Sequence, residues 1–166
     1  MTTEWMIRLL QGVTLVLVQV LLLNYVHLFG LAIPLLYIYF AISFRRGTPK
    51  WAAMLSSFFL GLVIDIFSST PGLAAGSLTL IALIQPYLLE LFVPRDSADN
   101  IEVSLSSLGF SKFFPFVGSL VLLYCLVFFG LESFSFFSVV SWLGHTLASA
   151  VLTLLLILAI ESVRSR

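Results

Sequence analysis

A chain of 166 residues that is 60% hydrophobic and 10% charged, with a mean hydropathy of +1.13, cannot hide its apolar surface in a soluble core and requires lipid around it. Eight basic residues balance eight acidic ones, which excludes capture of nucleic acid or acidic substrates by net charge. Cys125 is the only cysteine, which excludes an internal disulfide, a CxxC redox pair and a multi-thiolate metal site.

In lipid the backbone must satisfy its own hydrogen bonds, so each long apolar run is expected to be a helix, and the chain is read as one all-α domain over residues 1–166. The first run, Met6 to Val26, is read as a span rather than a signal peptide. Its basic flank is a single Arg8, it carries Gln11, Gln19 and Asn24, and no small-residue cleavage site follows. The second, Leu31 to Phe44, is short. Pro34 in its first turn would lose no helical hydrogen bond, so a helix can start there. The third, Lys50 to Phe67, carries Ala53, Ser57, Gly61 and Asp65 at intervals of four, a ridge of small side chains ending in a carboxylate.

The turn Ser68-Ser69-Thr70-Pro71-Gly72 leads into the fourth run, Leu73 to Val93. There Gly72 and Gly76 form a GxxxG, and Pro86 should kink the helix and free a carbonyl for Gln85 or a neighbour. Glu90 is expected to reach headgroup water or pair with Arg95. The hydrophilic loop 94–112 alternates Ile101, Val103 and Leu105 with Glu102, Ser104 and Ser106, a pattern open to a solvated linker or a partner contact. The fifth run is Phe113 to Leu131 and the sixth Phe137 to Ile160, in which Ser141, His145, Ser149 and Thr153 make a polar ridge.

Charge distribution supplies the orientation. Arg8, Arg45, Arg46, Lys50, Arg95, Lys112, Arg164 and Arg166 all fall on one side of a six-span topology, and the opposite loops hold no Lys or Arg. By the positive-inside rule both termini and the loop 94–112 are expected in the cytoplasm.

Asp65 lies within an apolar run, where a lone charge costs about 2.5–3.5 kcal/mol at mid-membrane, so it needs a partner or a proton. Its candidates are the amides and hydroxyls of the Ser68 to Gly72 turn or a protonated His145. A carboxylate that caps the turn should tolerate Asp65→Asn better than Asp65→Leu. No catalytic residue is expected: Asp65 lacks a membrane-embedded acidic partner for aspartyl protease chemistry. Gly76-Ser77 lacks a GxSxG elbow, and His27 and His145 with one buried Asp make no convincing metal-ligand set. Neither a cofactor nor a metal is expected.

The stretch Pro34 to Gly72 carries a resemblance. Pro34-Leu35-Leu36-Tyr37, the basic turn with Arg45 and Arg46, and Gly61-Leu-Val-Ile-Asp65-Ile-Phe-Ser68 followed by Pro71-Gly72 resemble the rod shape-determining membrane proteins of the MreD family. The resemblance implies a non-enzymatic subunit of the bacterial cell-elongation machinery in the inner (plasma) membrane. Such a subunit binds the bitopic protein MreC and, through it, connects MreB filaments to the peptidoglycan synthases RodA and PBP2. It also implies a six-helix bundle similar to the S-components of energy-coupling-factor transporters. That similarity raises the alternative of a small-molecule (vitamin) binding subunit. Residues expected to hold the bundle or its partner are Pro34, Ser57, Gly61, Asp65, Ser68, Pro71, Gly72, Gly76 and His145.

Overall fold

The computed structural model describes residues 2–27, 30–98, 100–133 and 138–166. The described residues form helices α1 (Thr2–Leu21), α2 (Ile38–Ile42), α3 (Lys50–Ser68), α4 (Leu73–Phe92), α5 (Leu105–Leu108), α6 (Phe110–Glu132) and α7 (Val139–Arg164), with a single 3-10 turn at Leu23–Tyr25. Five of them, α1, α3, α4, α6 and α7, are long and apolar enough to cross a membrane. At 1.5 Å per residue, 20 helical residues reach about 30 Å, the thickness of the hydrocarbon layer. Exposed side chains along these helices include Met6, Leu10, Leu21, Ile66, Leu91, Val140 and Val163. An apolar exterior of this kind, on helices of this length, fits a multi-pass membrane protein. Phe137, the expected start of the last span, and Asp99 of the loop lie outside the described residues.

The expected second span is corrected. Helix occupies only Ile38–Ile42, and the chain from Leu31 to Tyr37 is not helical. The Pro34 carbonyl, which a helix beginning there would bond to the Ile38 N–H, instead accepts from Gln19, and the Ile38 N–H turns to the Leu35 carbonyl, so the helix does not begin there. Nevertheless this segment is the centre of the molecule. Leu35, Leu36, Tyr37, Ile38, Tyr39, Phe40, Ala41, Ile42 and Phe44 are all buried, and α1, α3, α4 and α6 pack around α2.

The closest helix pair is the hairpin α3–α4. Its turn depends on two residues in the left-handed region: Ser69 (φ 56°) ends α3, with its N–H bonded to the Asp65 carbonyl, and Gly72 (φ 81°) begins α4. α4 remains helical through Pro86. The Gln85 amide does not bind a carbonyl freed by that proline. It donates to the carbonyls of Ile42 (3.2 Å) and Phe44 (3.0 Å), closing the C-terminal end of α2.

Candidate functional site: the α3–α4 junction and the polar seam

At the end of the bundle where α3 turns into α4, three elements meet through the residues of the GxxxDxxS element. Gly61 faces α4 so closely that a Cβ there would lie 2.4 Å from Ala75 Cα and 2.9 Å from the Ala74 carbonyl carbon. Four residues later Asp65, 4% exposed, accepts hydrogen bonds on Oδ1 from Thr70 Oγ1 (2.9 Å) and the Ala74 N–H (2.8 Å), and on Oδ2 from the Ala75 N–H (2.9 Å). The carboxylate therefore closes the N-terminal turn of α4, where orphan amides and the helix dipole both favour an anion. Its partners are the Thr70 hydroxyl and the amides just past the turn. The alternative pairing with His145 is overturned, because His145 Nδ1 lies 2.9 Å from the Leu31 carbonyl. Ser68 Oγ accepts from Asn24 Nδ2 (3.0 Å), tying α3 to the end of the first span.

Pro71 and Gly72 sit exposed in the turn. The GxxxG reading of Gly72 and Gly76 is corrected: Gly72 precedes the helix, and Gly76 is exposed with nothing within 4 Å of where its Cβ would be. The close approach in this hairpin belongs to Gly61. Ser57 is fully buried on the same face of α3, and its hydroxyl has no partner among the described residues.

The second constellation resolves how a non-helical segment lies among apolar helices. Backbone groups at membrane depth must find internal partners, each unsatisfied one costing several kcal/mol. Here side chains of α1 and α7 supply them. Gln19, 1% exposed, donates to the Pro34 carbonyl (2.9 Å) and accepts from the Leu36 N–H (3.0 Å). Ser149 Oγ accepts from the Ile33 N–H (3.1 Å), and Thr153 Oγ1 from the Leu35 N–H (3.1 Å). His145, bonded to Leu31, completes the α7 ridge at one turn per residue, while Ser141 is exposed and takes no part. Below the seam, Tyr37 and Tyr124 bond hydroxyl to hydroxyl at 2.5 Å, both fully buried.

The same α7 face continues to Glu161, 0% exposed, which sequence reasoning missed. Its carboxylate accepts from Tyr39 Oη (2.6 Å) and the Leu105 N–H (3.0 Å). The i+4 spacing from His145 through Ser149, Thr153 and Ile157 was the signal that could have found it. Around it, Arg45 bonds Glu4 (2.7 Å) and Glu102, while Arg164 bonds Glu102 (3.1 Å). The Glu102 bond raises the Arg45 guanidinium further above its ordinary value. This cluster draws the start of α1, the 45–46 turn, the segment around Glu102 and the end of α7 together. Within 94–112, the stretch from Ile101 to Leu108 is thus held by the protein and is not a free linker. Val103 is buried, the Arg46 N–H donates to the Ile101 carbonyl (3.2 Å), and Ser104 and Ser107 form a capping box on α5. No ion pair joins Glu90 to Arg95 among the described residues.

A recess of about 490 Å³ opens beside the α3–α4 junction, with Ile33, Leu35, Ile64 and Phe128 among its apolar lining and Gln19, Asn24, His27, Tyr37, Thr70 and Glu132 among its polar groups. Gln19, Asn24, Tyr37 and Thr70 already bond one another or the protein around them. Against known proteins, no family model matches the chain, and neither a curated protein nor a solved structure matches it.

Proposed function

We propose that the chain is a non-enzymatic membrane scaffold of the cell-shape and elongation machinery, of the MreD kind, that holds MreC and through it serves lateral peptidoglycan synthesis. The observation that carries this reading is the α3–α4 junction. Gly61, Asp65 and Ser68, the residues of the resemblance, each make a tight structural contact, and the carboxylate accepts from three donors of the protein itself. Three of its roughly four acceptor sites are thus taken up in holding the turn, which supports a structural clamp.

The orientation belongs to the same proposal. In the bilayer Leu31 to Phe44 crosses as a sixth, broken span. Its start is tied to His145 and its end to Arg8, whose Nη2 is 3.5 Å from the Ser43 carbonyl. Irregular backbone at this depth is tolerated where neighbouring helices bury and bond it. With six crossings every basic side chain lies at one end, in the cytoplasm, with both termini.

The test is co-purification from the native membrane in mild detergent. MreC should be retained by the tagged wild-type chain and lost with Gly61→Leu, which drives a side chain into the α4 backbone. The outer recess favours a second reading, a vitamin-binding subunit, since a pocket with apolar walls and convergent polar groups is what a small ligand requires. Retention of a vitamin in the purified chain, with MreC absent, would overturn the scaffold in favour of that reading.

A further inference from the structure

At the basic end of the bundle a second recess, about 270 Å³, lies between the start of α3 and the end of α4, and Arg45, Arg46, Thr48, Lys50, Gln85 and Glu90 contribute to its lining. Arg45 is committed to Glu4 and Glu102. The other two cations are not. Arg46 makes one side-chain bond, from Nη1 to the Ser97 carbonyl at 3.3 Å, and Lys50 gives one to Tyr87 Oη at 2.9 Å. Neither forms an ion pair among the described residues. A guanidinium has five N–H donors and an ammonium three, so most of their donors stay open. Against these two positive charges the recess sets one carboxylate, Glu90, leaving one net positive charge for a ligand.

Two further features fix the kind of ligand. Trp51 and Tyr87, 70% and 56% exposed, follow the recess-lining Lys50 and Pro86 in the chain, Tyr87 bonding Lys50, and exposed aromatics at the ends of apolar helices suit the level of lipid headgroups. Trp51 also opens an almost wholly apolar groove of about 740 Å³ between α1 and α3, running from Trp5 and Trp51 to Leu17 and Val63. A cationic recess large enough for a phosphate and its substituents, near an apolar lateral groove, matches a phospholipid better than a soluble anion. We propose that this recess binds the phosphodiester of an anionic phospholipid, with Arg46 and Lys50 on the phosphate, Glu90 accepting from a headgroup hydroxyl, and an acyl chain along the α1–α3 groove. The inference is independent of the scaffold reading.

The experiment uses the full-length chain in mild detergent with an equal mixture of phosphatidylglycerol and phosphatidylcholine of matched chains, read by native mass spectrometry. Phosphatidylglycerol should be retained in preference. Arg46→Gln and Lys50→Gln should each lower that retention about fivefold, and together about thirtyfold, the equivalent of about 1 kcal/mol per basic side chain at a membrane surface. Arg95→Gln, outside the recess, should leave it unchanged. The single variants carry the test if the double variant does not survive extraction. Equal retention of both lipids, or retention indifferent to Arg46 and Lys50, overturns the site. Displacement of the lipid by millimolar inorganic phosphate overturns the lipid as its occupant.

Discussion

Asp65 and Gly61 act as a pair, one by what it accepts and the other by what it lacks. Because a Cβ on residue 61 would stand 2.4 Å from Ala75 Cα, Gly61→Ala must push α3 and α4 apart, and overpacking of this kind costs about 1–3 kcal/mol. The variant should lose several degrees of thermal stability in detergent. At Asp65 the three donors divide between two oxygens, which changes the expectation for asparagine. An amide can present its oxygen to Thr70 and Ala74, but its NH₂ then faces the Ala75 N–H, donor against donor. Asp65→Asn should therefore be intermediate, losing about 1–3 kcal/mol for one unsatisfied buried amide, and Asp65→Leu should lose more. Denaturation midpoints in detergent that fall together for Asn and Leu would show that charge, and not bond count, holds the turn. The spacing of Gly61 and Asp65 was legible in the sequence because a four-residue interval puts both on one helix face. The identity of the donors was not, since it depends on how tightly the Ser69 and Gly72 turn folds α4 back.

At the scale of elements, the segment Leu31 to Phe44 marks where sequence reasoning stops. Hydropathy reports that residues prefer to be buried, and it is silent on whether the backbone is helical. A run of fourteen mostly apolar residues suits a short helix or a buried extended stretch equally. The deciding groups sit far away in sequence: Gln19 on α1, and Ser149 and Thr153 on α7, bond the Pro34 carbonyl and the amides of Ile33, Leu35 and Leu36. The α7 ridge was visible as a pattern, while its purpose required the partner segment. Thr153→Val, close in shape, removes the acceptor for the Leu35 N–H and nothing else of that seam. Hydrogen exchange at Leu35 and Leu36 should accelerate in this variant, and more in Gln19→Leu, which strips partners from both Pro34 and Leu36. Unchanged protection at both amides would mean that packing alone holds the segment.

For the whole molecule, the ion cluster at the basic end joins what the topology brings together. Glu4, Arg45, Glu102 and Arg164 come from four separate stretches of chain, and Glu102 serves both guanidinium groups. Pairs this exposed are worth about 0–1 kcal/mol each, so the cluster latches the segment around Glu102 more than it stabilises the bundle. What it fixes is that the first and last long helices have their chain-terminal ends at one end of the bundle, as an even number of crossings demands. That parity is testable with cysteines, because the native Cys125 is buried at 0% exposure and shielded from an aqueous reagent. In intact cells a membrane-impermeant maleimide should label Pro71→Cys, in the turn opposite the cluster, and should reach Thr3→Cys, Arg46→Cys and Arg166→Cys only after permeabilisation. Labelling of Thr3→Cys and Arg46→Cys in different compartments would mean that α1 alone crosses between them, an odd number of crossings in all. The segment around Pro34 would then be a re-entrant loop and not a span, and the polar seam of Gln19, Ser149 and Thr153 would serve a chain that turns back within the bilayer.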